Sequence, residues 1–189
     1  RAWLLWDEQW LYLAAEIRDD IHSETHTGFS IYQNDGLELY LDTDRETGRV
    51  SETFTDRQHQ IGLFPANGKD AVRFWGMRNA DSPGARILVN RAPVPEQRHR
   101  FARAEDAPTL IIEAALPMSE LGLAPARGLE LGFSLALDDD DTPDSIHPFL
   151  QDLQFQWSRR KNCWRNPGAF ASLWLAGVYT PPPSRAPRR

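Results

Sequence analysis

The sequence predicts an antiparallel β-sandwich, and three observations carry that prediction. Short runs of alternating apolar and polar residues recur along the chain, Gly, Pro, Asn and Asp cluster between them, and only 117–122 has the markings of a helical turn. Neither the 3.6-residue periodicity of a helical bundle nor the strand and helix alternation of a parallel α/β fold is present.

The elements follow in order. Trp3-Leu-Leu-Trp6, the turn Asp7-Glu-Gln and Trp10 to Arg18 read as a hairpin with Leu11, Leu13, Ala15 and Ile17 inward. A polar loop with His22 and His26 leads to Tyr32 and the turn residues Asn34-Asp35-Gly36. The central strand, Gly36 to Thr43, sends Leu37, Leu39 and Leu41 into a core and Glu38, Tyr40 and Asp42 the other way. After an acidic turn through Asp44, Glu46 and Gly48, Asp56 to Phe64 resumes the alternation, with Gln58 and Gln60 on its polar side. Residues 65–107 read as a long excursion with short β-prone pieces at Val72 to Trp75 and Ile87 to Val89.

Thr109 to Leu116 is a strand, and Pro117 to Gly122 is a turn with proline first and glycine last. Leu129 to Asp138 has large apolar residues on odd numbers; Glu130, Gly132, Ser134 and Ala136 make its other face small and open. The run Asp138 to Asp141 reads as a solvated loop. Phe155 to Trp157 and Phe170 to Leu175 complete the sandwich, residues 1–178, and 179–189 form a Pro/Arg-rich linker or tail. In one sheet, Glu38, Gln58, Gln60, Glu113, Ser134 and Ala136 would line a solvent-facing, shallow binding surface.

At 189 residues and 41% hydrophobic content the chain can bury one core. A net charge of -6, with Lys69 and Lys161 the two lysines, gives no basic stripe for nucleic acid. Cys163 stands alone, and no apolar run is long enough to span a bilayer. The abrupt start at Arg1 suggests a piece of a longer polypeptide.

Sugars are held by aromatic rings against their C–H faces and by planar amides and carboxylates on their hydroxyls. Trp164 fits the first role, because Arg159 to Gly168 is a polar loop without core periodicity. Leu4 to Leu13, Asn34 to Asp42, Leu131 to Asp139 and Trp164 to Leu173 together resemble the family 9 carbohydrate-binding modules, β-sandwiches of the DOMON-like type. The resemblance implies non-catalytic sugar binding between two rings, Tyr32 and Trp164, assisted by Glu38. Gln60 stands where the family has an arginine, Ala136 where it has an amide, and Lys161 near its asparagine. Gln58, Lys161 and Asn162 would flank the site.

The resemblance also implies structural calcium, for which Asp42, Asp44 and Glu46 supply oxygens at alternate positions. No organic cofactor is expected. The expected partners are an oligo- or polysaccharide and covalently linked neighbouring domains, in an extracellular or periplasmic protein. Catalytic signals are weak: His22 and His26 lack the zinc-protease pattern, and the separation of Glu38 and Glu113 is not fixed by sequence. Two other readings are a sensory or protein-interaction sandwich and a haem-binding DOMON-like domain, for which Met77 and Met118 are the available methionines.

Overall fold

The computed structural model describes residues 1–21, 23, 26, 32–45, 54–55, 57–66, 69–76, 88–91, 98–103, 109–141, 153–158 and 162–177, with the backbone alone over 65–66, 69–76, 88–91, 98–103, 109 and 153. Among these residues two antiparallel sheets stack as the alternation predicts. Strands β1 (Ala2–Trp6), β2 (Trp10–Arg18), β7 (Arg98–Arg103) and β8 (Thr109–Pro117) form the smaller one, in the order β1-β2-β8-β7. The larger contains β3 (Gly36–Asp42), β4 (Gln58–Ala66), β5 (Lys69–Gly76), β6 (Leu88–Arg91), β9 (Glu130–Asp139), β10 (Leu153–Gln156) and β11 (Ala171–Trp174). Its order is β10-β9-β3-β4-β5-β6, with β11 also paired to β9.

Leu11, Leu13, Ala15 and Ile17 of β2 face Leu37, Leu39 and Leu41 of β3 within one core that also takes residues of β8 and β9. Each buried leucine contributes about 1.5–3 kcal/mol. The β1–β2 turn is set by Asp7, whose Oδ1 accepts from the Gln9 and Trp10 N–H groups, both at 2.7 Å. Met118 and Leu121 enter the same core from the turn after β8, where the Leu121 N–H donates to the Pro117 carbonyl and Gly122 adopts φ +66°.

Three expectations change. Within 65–107 the two β-prone pieces fall in β5 and β6 as expected, but the stretch also contributes β7, which closes one edge of the smaller sheet; its sequence, Arg-His-Arg-Phe-Ala-Arg, hid the strand because its residues are mostly polar. Glu113 lies exposed on β8, in the sheet opposite Glu38, so the two carboxylates do not share a face. And β3 is buried on both sides: Glu38, Tyr40 and Asp42 are as enclosed as the leucines between them.

That enclosure makes Gly36 a packing position. A methyl there would lie 2.6 Å from Cε1 of the buried Phe64 ring and 3.0 Å from the Leu63 carbonyl oxygen. Gly36→Ala is expected to lower stability by about 1–3 kcal/mol. Urea denaturation checks it, and an unchanged midpoint would show that the ring yields freely.

Candidate functional site

The second face of the larger sheet is assembled by register. Glu38 pairs with Gly62 and Ala136, Tyr40 with Gln60 and Ser134, and Asp42 with Gln58 and Gly132. On the far side of β9, Asp138 pairs with Gln154 and Ala136 with Gln156. Strand parity therefore collects carboxylates, amides and a phenol on one side, as alternation foretold.

The face is not open, however. Glu38, Gln58, Gln60 and Ser134 are buried; residues 162–170 pack on this side of the sheet, and the Ser158 N–H donates to Ser134 Oγ at 3.4 Å. Cys163, Ala169, Phe170 and Phe54 pack with Tyr40 and Ala136 into a second apolar cluster. The Tyr40 and Phe170 rings meet at 5.7 Å, and Phe54 meets Phe170 edge-on at 6.2 Å. Cys163 shares a 3.1 Å hydrogen bond with Ser158, and the Asn166 side chain caps the 3₁₀ turn Pro167–Ala169 by accepting from the Gly168 N–H.

A hydrogen-bond network runs beneath this cover. Glu38 accepts from the Tyr40 hydroxyl, from Gln60 Nε2 at 2.9 Å and from Gln154 Nε2 at 3.5 Å. Burial pushes the Glu38 carboxyl above the usual carboxylate range, while the bonds from Tyr40 and Gln60 pull the other way. Burial, and then the neighbouring Glu38 charge, raise the Tyr40 phenol well above its ordinary value. Gln154 Nε2 also donates to Asp138 Oδ1 at 2.7 Å, and Gln156 Nε2 donates to Gln154 Oε1 at 3.0 Å. Gln60 Oε1 is buried and accepts no hydrogen bond among the described residues.

Asp42 has a structural task that the sequence reading did not anticipate. Its oxygens accept from Gln58 Nε2 at 2.7 Å, from the Asp44 N–H at 3.1 Å and from Arg45 Nε at 3.2 Å. Arg45 in turn donates to the Phe170 carbonyl at 3.0 Å, tying the covering segment to the sheet. A guanidinium thus stands where a cation at Asp42 would sit, and Glu46 lies outside the described residues.

Oxygen donors suited to a hard cation gather elsewhere. Carboxylate oxygens of Asp19, Asp139 and Asp141 lie within 4.8 Å of one another. Burial and then the charges of Asp141, Asp35, Asp19 and Asp20 push Asp139 up to about 6. Alongside, Asp35 accepts from the Asp140 and Ser23 N–H groups, and Ser23 Oγ donates to Asp140. Asp138 and Asp140 are buried, so the run expected as a solvated loop is largely built into the fold. Dicarboxylates at Asp19-Asp20 and Asp138 to Asp141 were the visible signal.

Of the two expected rings, Trp164 is exposed, with the Arg165 guanidinium 4.2 Å over it, and Tyr32 is half-buried just ahead of β3. Asn162 takes a left-handed φ of 66°, and its carbonyl accepts from the Arg165 and Asn166 N–H groups, forming the turn that projects Trp164. Lys161, His22 and Met77 lie outside the described residues. His26 is engaged through its backbone with the Asn34 side chain. Gln154 and Gln156 were missed, although their alternation with Phe155 and Trp157 is legible.

Over residues 1–178 the sequence matches the family described as carbohydrate family 9 binding domain-like. The chain belongs to that family. Its members are non-catalytic binding modules. Endo-1,4-beta-xylanase C of Paenibacillus barcinonensis is 25% identical over 177 residues, 93% of this chain, and the chain spans 13% of that relative's length. A family 9 module from Caldicellulosiruptor kristjanssonii, solved in complex with glucose, superposes with a TM-score of 0.65 at 16% identity, over 97% of this chain and 79% of that one. The cellotriose complex of a family 9 module from the same organism gives 0.61 at 17% identity, over 98% and 78%. Both share the fold of this module.

Proposed function

We propose that this family 9 module binds carbohydrate by stacking a sugar on Trp164, with Tyr32 as the second ring and the Glu38 network reading hydroxyls. The observation that carries the reading is an exposed tryptophan on a segment whose adjoining residues, Cys163 and Pro167 to Phe170, are buried. An aromatic ring held out by a fixed base meets a ligand with little ordering cost. The solved relatives with glucose and cellotriose support the ligand class. Gln58 braces Asp42, Gln60 Oε1 is buried with no hydrogen-bond partner among the described residues, and Lys161 and Asn162 shortly precede Trp164 in the sequence. Calorimetric titration with glucose, xylose and cello- and xylo-oligosaccharides is the direct test. Silence across that panel would leave the sensory or interaction-domain reading in its place.

The relative's name and the small share of its length that this chain spans support a module within a longer, extracellular or periplasmic polypeptide, beside other domains. No helix among the described residues is long and apolar enough to cross a membrane.

Structural calcium is proposed at Asp19, Asp139 and Asp141 in preference to Asp42, Asp44 and Glu46. Calcium there would tie the end of β2 to the end of β9. Asp139 has a raised value in the fold, so without calcium its contribution is present below its ordinary value near 3.8 and is lost as pH rises through about 6. In chelator the melting temperature is therefore expected to fall between pH 4 and pH 6, and calcium at pH 7 to restore several degrees. Identical melts with calcium and chelator at pH 7 would remove the ion.

A further inference from the structure

Gln156 and Gln154 belong to a short edge strand, and each stands beside a residue of the polar face: Gln156 is the register partner of Ala136, and Gln154 of Asp138. Ala136 is small and is also the register partner of Glu38, so β9 carries no hydrogen-bonding side chain between Glu38 and β10. The hydrogen-bond network orients both amides. Gln154 turns its Nε2 toward both carboxyls, donating to Asp138 at 2.7 Å and to Glu38 at 3.5 Å. Its Oε1 then faces Gln156, and Gln156 must answer with Nε2. Among the described residues, one N–H and Oε1 of Gln156 are left without a partner.

Gln154 and Gln156 are half-buried, unlike Glu38 and Gln60, which are enclosed. Cys163 packs in the same cluster as Ala136, so the covering segment passes this position just before it projects Trp164. We propose that Gln156 is a specificity-determining residue of the module: its oriented amide reads two neighbouring hydroxyls of the sugar, and Glu38 and Asp138 hold that orientation through Gln154. The proposal rests on the carbohydrate reading and deepens it. A planar donor and acceptor pair fits a vicinal diol in one arrangement, and inverting one hydroxyl from equatorial to axial carries it out of the amide plane. The ligand class is therefore a pyranose selected at one hydroxyl pair. Glu38 acts as a positioning residue, consistent with its burial.

The test compares glucose, galactose and mannose binding by calorimetry for the wild type, Gln156→Leu, Gln156→Glu and Trp164→Ala. The wild type is expected to prefer one of the three by about tenfold or more, and Gln156→Leu to bring the three within about twofold of one another while the melting temperature moves little. Gln156→Glu, which cannot donate to Gln154 Oε1, is expected to lose the preference as well. A wild type that binds all three equally, or a Gln156→Leu variant that keeps the wild-type ratios, overturns the assignment and leaves the carbohydrate reading intact provided Trp164→Ala still weakens binding. A wild type that binds none of them, nor any sugar of the wider panel, overturns both.

Discussion

Trp164→Ala is expected to weaken sugar binding by roughly 70-fold while leaving the fold intact. One face of the indole buried against a pyranose removes on the order of 100 Å² of apolar surface from water, worth about 2.5 kcal/mol. Arg165 adds to the cost, since its guanidinium stacks on that ring and would lose its shelf. Stability should barely change, because the ring is exposed and the segment is anchored by Cys163 and by the Asn166 cap rather than by the indole. Calorimetry with the best oligosaccharide of the panel, paired with thermal melts, separates the two effects. Full affinity in the variant would mean that the ring faces water in the complex, and the stacking proposal would fail.

The same residue shows what the sequence made legible. A tryptophan in a polar loop without core periodicity stood out because nothing in the local pattern required its burial, and the structure exposes it. The strands were equally readable where one face meets a core: β2 and β9 alternate so cleanly that Leu11, Leu13, Leu131 and Phe133 were assigned inward from parity alone. Parity failed on what covers the second face. Alternation in β3 says that Glu38, Tyr40 and Asp42 share a side, but it cannot say that a segment more than a hundred residues away lays Cys163 and Phe170 over them. Polar residues are ordinarily read as solvated, and here the hydrogen bonds that permit their burial come from partners on β4 and β10. Strand β7 was hidden for the opposite reason: three arginines and a histidine in its six residues obscure an edge strand whose backbone pairs with β8.

Asp42→Ala is expected to cost about 3–5 kcal/mol, the largest stability effect of any single substitution considered. The aspartate is fully buried and accepts from Gln58, the Asp44 N–H and Arg45. Removing it strands the Arg45 side chain, 9% exposed, as a charge without its counterion, and frees an amide N–H of Gln58 in the interior. In a domain of this size such a loss lowers the melting temperature by roughly 10 °C. The double variant Asp42→Ala/Arg45→Met should recover much of it, since no buried charge is then left unpaired, and that recovery separates electrostatic stranding from simple cavity formation. Arg45 also holds the Phe170 carbonyl, so the single variants should loosen the segment that projects Trp164 and weaken sugar binding at temperatures where the sandwich is still folded. A melting temperature within about 2 °C of wild type would show that water reaches Arg45 when Asp42 is absent, and that the covering segment is held by its apolar cluster with Tyr40 and Phe54 rather than by this ion pair.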